Sequence, residues 1–175
     1  MSSGFGGRLM GFYASDCTTY YGTDPSTKTF DGLLNLNEDL KKIVPNKTVV
    51  LLKQGSEISP PCINQCDLCF TSPPYFDTEK YSDEETQSYQ KYPTENLWLN
   101  GFLRDTLKNC YIALKESGKL IININDVSSA KNLTDGTVKI AEEEGFRLVD
   151  TLELILSSCN GNGVKTEPIF IFDKL

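Results

Sequence analysis

The sequence predicts an α/β domain built around a largely parallel sheet, and two patterns support this prediction. Short apolar runs alternate with helical patterns along most of the 175 residues, as they do when helices cover the faces of a parallel sheet. The last two apolar runs are joined by a short turn rich in Gly and Asn, which predicts an antiparallel pair at the end of the sheet. The length suits one domain, residues 1–175, with one core.

The first half of the chain begins with a glycine-rich turn that leads into a helix. Residues 18–23 are β-branched and aromatic, and they predict a strand that ends at Asp24. Residues 48–53 predict a buried strand that is followed by a polar turn. Between these strands lies a helical pattern with one apolar side, formed by Leu33, Leu34, Leu36, Leu40 and Ile43.

The second half continues the alternation of strands and helices. The predicted elements are, in chain order, a strand at 67–71, a long polar loop at 76–92, a helix at 93–114, a strand at 119–124, a helix at 135–144 and two strands at 147–156 and 168–172. Gly118 predicts the break before the strand at 119–124, and Gly145 predicts the end of the last helix. Gly161 and Gly163 mark the last turn.

Composition and charge limit the possible functions. No stretch approaches the length of a membrane span and the start lacks a secretion signal, so we expect a cytoplasmic protein with no membrane partner. The net charge of −7 is unusual for an enzyme that contacts phosphates. A local basic face or a basic partner protein would resolve this conflict, although solvated surface cations are an equal alternative for the candidate residues Lys80, Lys91, Arg104 and Lys108.

Cysteine and histidine contents restrict the chemistry. The six cysteines of a chain without a secretion signal are expected to be reduced thiols. Cys62, Cys66 and Cys69 form a cluster, but their irregular spacing and the lack of any histidine predict burial rather than a metal site. Without histidine, catalysis must use positioning, carboxylates, hydroxyls or a cofactor.

The pattern around the first helix indicates a nucleotide site. Asp24 ends a strand twenty residues after the glycine turn, where an acid accepts hydrogen bonds from ribose hydroxyls; capping of the following turn is the alternative role. Ser56 and Glu57 follow the next strand and predict contact with the adenine end of a cofactor, although Ser56 could also simply terminate the strand. Close approach of backbone amides to a nucleotide would use the three glycines of the turn, Gly4, Gly6 and Gly7.

The most specific feature is the tetrapeptide of residues 72–75, Ser-Pro-Pro-Tyr, at the end of a strand. Prolines donate no backbone hydrogen bond and fix the local dihedral angles, so the Pro73 carbonyl is held without a competing partner. The Ser72 side chain and this carbonyl can hold the hydrogens of an amine and direct its lone pair at a methyl donor. Tyr75 can stack on a base that is flipped out of a helix. A Pro-Pro turn with a buried tyrosine is the purely structural alternative.

These residues resemble the amino-methyltransferase family that modifies cytosine at N4 or adenine at N6 in DNA. The glycines resemble its cofactor loop, Asp24 its ribose-binding acid and residues 72–75, with Pro74 inside them, its catalytic motif. The strand order is also similar, with the final pair matching the antiparallel ending of a seven-stranded sheet. The resemblance implies a Rossmann-like methyltransferase fold, S-adenosyl-L-methionine as cofactor and double-stranded DNA as substrate. The flanking run at 70–81 is similar to the phage and bacterial branch of the family.

The resemblance leaves the target open. Serine before the two prolines is more usual for cytosine N4 enzymes and aspartate for adenine N6 enzymes, so either base remains a candidate. The acidic charge mildly favours a different substrate for the same chemistry, namely an RNA base or a protein glutamine, whereas the Ser-Pro-Pro-Tyr form and the phage-like flanking residues oppose it.

The chain also departs from this family at its start. The family has an apolar strand before the glycine loop, whereas here only residues 1–3 precede Gly4. The sequence therefore predicts a sheet without its central strand, with unpaired backbone groups beside the gap. A second polypeptide could supply this strand, the chain could be a fragment, or the protein could be a methyltransferase-fold subunit impaired in cofactor binding.

Overall fold

The computed structural model describes residues 1–157 and 164–175. In this part of the chain the elements are α1 (Gly7–Ala14), β1 (Thr19–Thr23), α2 (Thr27–Ile43), β2 (Thr48–Leu52), β3 (Cys66–Thr71), α3 (Ser88–Lys91), α4 (Glu95–Leu97), a π-helical segment (Trp98–Leu103), α5 (Arg104–Ala113), β4 (Leu114–Asn123), α6 (Leu133–Glu143), β5 (Phe146–Ser157) and β6 (Val164–Lys174). The predicted alternation of strands and helices is confirmed.

The strands form a parallel pair and a four-stranded mixed sheet. β1 pairs in parallel with β2, while the larger sheet has the order β3-β4-β6-β5. β3 and β4 are parallel, and β6 runs antiparallel to both of its neighbours. The antiparallel final pair is therefore confirmed, although the turn predicted around Gly161 and Gly163 lies outside the described residues.

Residues at the start of the chain lie between the two groups of strands. The Ser3 amide donates to the Thr23 carbonyl at the end of β1 (2.8 Å), and the Thr71 hydroxyl at the end of β3 donates to the Met1 carbonyl (3.0 Å). Among the described residues no strand pairs with the remaining length of these two facing edges. The structure thus has an opening where the sequence predicted the missing central strand.

Three predicted elements differ from the observed ones. β2 is not buried: its residues are half-exposed or exposed, and within the described residues it pairs only with β1. The break predicted at Gly118 is wrong: β4 runs from Leu114 through Gly118 and absorbs it in a register shift opposite β3, where a side chain at 118 would collide with Leu114. The predicted loop at 76–92 contains the short helix α3.

Two hydrophobic clusters correspond to the two groups of strands. The larger cluster packs helices against the four-stranded sheet around residues with no exposed surface, such as Trp98, Leu107 and Ile122. The smaller cluster joins α1 and α2 to the β1–β2 pair through four buried residues, Leu9, Phe12, Tyr13 and Leu33. No helix in the described part of the chain is both long and apolar enough to cross a membrane.

Candidate active site

A cavity of about 210 Å³ opens at the carboxyl ends of β1, β2 and β3. Parallel strands collect ligands at this edge because the loops that follow them converge there. Five of the predicted site residues line the cavity: Gly4, Asp24, Ser56, Ser72 and Pro74. The structure thus brings the predicted cofactor residues and the predicted catalytic motif to one place. Four predicted residues lie outside the cavity lining: Gly6, Gly7, Pro73 and Tyr75.

The glycine turn requires glycine at two of its three positions. Gly4 and Gly6 have φ values of 61° and 95°, which side chains rarely adopt. A Cβ atom on Gly6 would also lie 2.6 Å from a methyl group of Leu36. Gly7 begins α1 with open space around it, so it does not need to be glycine for steric reasons.

The Asp24 carboxylate holds the glycine turn in place through a hydrogen bond to its backbone. One carboxylate oxygen accepts from the Gly4 amide (3.1 Å) and the other from the Ser26 amide (3.2 Å). The bond to Ser26 is the capping role that sequence alone left as an alternative. Burial raises the pKa of Asp24 above its ordinary value, against the opposing effect of these two backbone donors. A buried carboxylate that also lines the cavity remains available to a ligand.

Ser56 is held firmly by its neighbours. Its hydroxyl lies 2.9 Å from that of Thr106, and its carbonyl accepts from the Asn109 side chain (2.8 Å). These bonds connect the loop after β2 to α5, so Ser56 positions the cavity wall as well as lining it.

Three buried polar atoms of residues that line the cavity have no hydrogen-bond partner in the described residues: Arg8 Nε, one oxygen of Glu57 and the side-chain nitrogen of Gln87. Glu57 bonds Lys91 through one oxygen (2.8 Å), while its other oxygen is unpaired, as is the side-chain nitrogen of Gln87. Both residues line the cavity and are less than a tenth exposed. An unpaired acceptor and an unpaired donor suit a ligand with an amino group beside a ring nitrogen. The donor set of this cavity therefore fits a nucleoside.

The predicted catalytic motif, residues 72–75, leaves one backbone carbonyl without a hydrogen bond. The Ser72 carbonyl accepts from Arg8 (3.4 Å) and the Pro74 carbonyl from the Phe76 amide (2.9 Å). Within the described residues the Pro73 carbonyl accepts no hydrogen bond. Phe76 has a φ of 55°, a strained conformation for a non-glycine residue that turns the chain sharply after the motif.

Sequence reasoning missed two partners of Tyr75. The Tyr75 ring is 9% exposed, and its hydroxyl lies 3.1 Å from Asn123 Oδ1 and 3.1 Å from Glu167 Oε2. Asn123 ends β4 and Glu167 lies on β6, so only the pairing of these strands brings them to the motif. The sequence signal that could have identified Asn123 as a site residue is its place as a polar residue at the end of an apolar strand.

Arg8 is a further residue that the sequence did not single out. Its guanidinium donates to the Ser2 carbonyl (2.8 Å) and the Ser72 carbonyl, and it lies over the Phe70 ring. Burial lowers the pKa of Arg8, but an arginine remains charged at ordinary pH. Arg8 therefore links the start of the chain beside the glycine turn to the predicted catalytic motif.

The candidate basic face is largely engaged with acids. Lys91 pairs with Glu57, Lys108 with Asp105 at 3.7 Å, and Arg104 with the last glutamate of α6 and the glutamate that follows it. The Lys80 ammonium lies over the Tyr89 ring. These contacts do not support a continuous basic surface formed by these four residues.

The cysteine cluster is mostly buried. Cys62 and Cys69 are at most 9% exposed, and the Cys62 and Cys66 sulfur atoms lie 3.3 Å apart. Burial is the main reason that the pKa of Cys62 rises to about 12, so this thiol resists ionisation. Among the residues that the structure describes, no group of three or more metal-ligating side chains is arranged to hold a metal ion.

Solved structures define the class of this fold. An antibiotic-related methyltransferase aligns with a TM-score of 0.61 at 18% identity, covering 99% of this chain and 84% of its own. A TehB-like SAM-dependent methyltransferase from Corynebacterium glutamicum aligns with 0.51 at 16%, covering 89% and 67%. The [4+2]-cyclase SpnF aligns with 0.64 at 10%, covering 99% and 73%. The chain has the α/β fold of SAM-dependent methyltransferases, and the cyclase shows that this fold alone does not determine activity.

A match to a protein-family model identifies the family of this chain. A family model described as DNA methylase, that of the N6/N4 methyltransferases, matches residues 66–174. The chain belongs to this DNA methylase family. The matched range contains the predicted catalytic motif together with Asn123 and Glu167, whereas Gly4, Asp24 and Ser56 precede it. Comparison with curated proteins found no match.

Proposed function

We propose that the protein transfers a methyl group from S-adenosyl-L-methionine to the exocyclic amino group of a DNA base, cytosine N4 or adenine N6. One observation carries this proposal: Ser72 and Pro74 line the same cavity as Gly4 and Asp24. Methyl transfer requires the donor and the acceptor amine to meet, and this cavity is where the two sets of residues converge.

The cofactor side of the proposal uses the wall formed by the glycine turn and the loops after β1 and β2. S-adenosyl-L-methionine supplies an electrophilic methyl group when it is bound. Asp24 accepts hydrogen bonds from ribose hydroxyls, and Gly4 and Gly6 allow the backbone to approach the nucleoside. Ser56 and the unpaired oxygen of Glu57 face the adenine end.

The acceptor side uses the motif after β3. The Ser72 hydroxyl and the unengaged Pro73 carbonyl accept the hydrogens of the amine, so its lone pair leaves the ring plane and points at the methyl group. The rigid Pro73-Pro74 backbone holds these acceptors in place. Tyr75 stacks on the extruded base.

A product-identification experiment tests the proposal. The protein is incubated with labelled S-adenosyl-L-methionine and, in parallel, double-stranded DNA, RNA and cell protein, and the methylated residue is identified by mass spectrometry. We expect N4-methylcytosine or N6-methyladenine in DNA. If label appears only in RNA or only on protein glutamine, that molecule and not DNA is the substrate. No label, together with no cofactor binding by calorimetry, would identify an impaired methyltransferase-fold subunit.

The opening between β1 and β3 supports a second part of the proposal, a polypeptide partner that supplies a strand. In β1 the peptide groups of Thr19 and Tyr21 point away from β2, because alternate residues of a parallel strand serve opposite neighbours. On β3 the side chains of Leu68 and Phe70 are 50% and 41% exposed. An extended apolar segment parallel to both edges would pair these groups and cover these side chains.

A peptide experiment tests this partner. We expect an apolar peptide of six residues, the length of β3, to bind the protein and to increase its affinity for S-adenosylhomocysteine in calorimetry. The control is the same peptide with a central proline, which cannot complete the pairing. Full cofactor affinity without any peptide, and no difference between the two peptides, would contradict the proposal.

A further inference from the structure

Methylation of an amine releases a proton, and this site has few groups that can accept it. The chain contains no histidine. The hydroxyls of Ser72 and Tyr75 do not ionise near neutral pH. A carboxylate does reach the motif: Glu167 Oε2 lies 3.1 Å from the Tyr75 hydroxyl.

The atoms around Tyr75 form a continuous hydrogen-bonded path. Ser72 Oγ lies 3.5 Å from the Tyr75 hydroxyl, which in turn contacts Glu167 and Asn123. The Asn123 side-chain amide donates to the Pro168 carbonyl (3.1 Å), and this bond turns its oxygen toward the phenol. The phenol has one proton and faces two acceptor oxygens, so this proton can be donated to either of them.

We propose that Ser72, Tyr75 and Glu167 form a proton relay from the substrate amine to solvent, a role that rests on the proposed methyl transfer. As the carbon–nitrogen bond forms, the carbon–sulfur bond breaks and its electron pair stays on sulfur. The amine nitrogen gives its proton to Ser72 Oγ, the Ser72 hydroxyl proton passes to Tyr75, and the Tyr75 proton passes to Glu167. Glu167 is half-exposed and returns the proton to water.

The charges around Tyr75 suit a bridging role. Burial raises the pKa of Tyr75, and the negative charges of Glu167 on β6 and Glu79 in the 76–92 segment raise it further; Arg8 on α1 is the cation facing the group. The phenol therefore stays protonated and passes a proton along rather than acting as a base. The 3.5 Å distance to Ser72 is at the upper limit for a hydrogen bond, and such distances shorten when substrate binds.

Two variants and one control test the relay by kinetics. Glu167→Gln removes the acceptor and Tyr75→Phe removes the bridge but keeps the stacking ring, so each should lower kcat by about 10²-fold with unchanged KM and cofactor affinity. Glu153→Gln is the control, since Glu153 is an exposed carboxylate on the neighbouring β5. The acid limb of the kcat–pH profile should disappear in Glu167→Gln and persist in the control. A persisting acid limb in Glu167→Gln would overturn the relay.

A second readout does not depend on methyl transfer. Labelling tyrosine with carbon-13 at Cζ lets NMR follow each phenol, and Tyr75→Phe assigns the Tyr75 signal. We expect the pKa of Tyr75 to fall in Glu167→Gln, because a neighbouring negative charge is removed, and to stay constant in Glu153→Gln. An unchanged titration would overturn the relay alone. A shifted titration with no methyl transfer to any substrate by the unaltered protein would overturn the proposed function and the relay with it.

Discussion

At the scale of single residues, substitution of Tyr75 tests whether base recognition, which we propose for this residue, is separate from cofactor binding. Tyr75 lies outside the cavity lining, whereas Gly4 and Asp24 line it. Tyr75→Ala removes the stacking surface, and stacking contributes roughly 1–3 kcal/mol per base. Because Tyr75→Ala also removes the hydroxyl of the proposed relay, its reference is Tyr75→Phe: relative to that variant, kcat/KM should fall by a further factor of roughly 5 to 150, with nearly unchanged affinity for S-adenosylhomocysteine, as measured by calorimetry. Equal losses of turnover and affinity would contradict the stacking role.

Asp24 predicts a dependence of cofactor binding on pH. In the proposed function the ionised carboxylate accepts hydrogen bonds from the ribose hydroxyls, and burial raises the pKa of Asp24 above the ordinary value of 3.8. As the pH falls through this raised pKa the carboxylate becomes protonated and loses its role as acceptor. The affinity for S-adenosylhomocysteine should therefore begin to decrease at a higher pH than it would with an unperturbed aspartate. Calorimetry across the acid range measures this decrease.

Asp24→Asn is the matched control for this pH effect. Asparagine keeps one oxygen acceptor and the size of the side chain but does not titrate. The variant should bind more weakly near neutral pH and show a much flatter acid response. An unchanged response in Asp24→Asn would assign the effect to another group.

At the scale of elements, the turn before α1 depends on glycine at one position and tolerates a side chain at another nearby. Gly6→Ala forces an alanine into φ 95° and against Leu36, which should destabilise the protein by roughly 1–3 kcal/mol. Gly11→Ala lies on the exposed side of α1 with free space around it and should stabilise by about 0.5–1 kcal/mol. Urea unfolding of both variants measures the difference, and equal effects would contradict the strained turn.

Helical patterns in the sequence predicted where helices lie but not which type of helix forms. Residues 93–114 predict one helix, and the structure has α4, the π-helical segment and α5 in sequence. The π-helical segment buries Trp98, Leu99, Phe102 and Leu103. The wider turn follows from the packing of these side chains against the sheet, and local periodicity does not encode it.

At the scale of the whole molecule, the divided sheet predicts two levels of local stability. β4 lies between β3 and β6 in the larger cluster, whereas β1 and β2 depend on the small cluster of four buried residues. Amides of β1 and β2 should exchange with deuterium at least about tenfold faster than central amides of β4, a difference of ~1.4 kcal/mol or more in opening free energy. Uniform protection across both groups would show that the opening does not separate them.

Only part of the candidate site could be predicted from local sequence. Residues 72–75 and the glycine turn were predictable because a rigid turn, a positive φ and a strand end each require particular residue types within a few positions. Arg8, Asn123, Gln87 and Glu167 were not, because their roles depend on contacts between segments that are far apart in the chain.

The sequence by itself determined the fold class and the antiparallel final pair, and its Ser-Pro-Pro-Tyr segment indicated the chemistry that we propose, since each inference depends on local pattern or residue type. Only the tertiary structure decided that Gly4, Asp24, Ser56 and Ser72 share one cavity. It alone also placed the Tyr75 hydroxyl between Asn123 and Glu167 and left the opening between β1 and β3. The physical reason is that strand order and register fix these distances, and neither is set by residues that are neighbours in the chain.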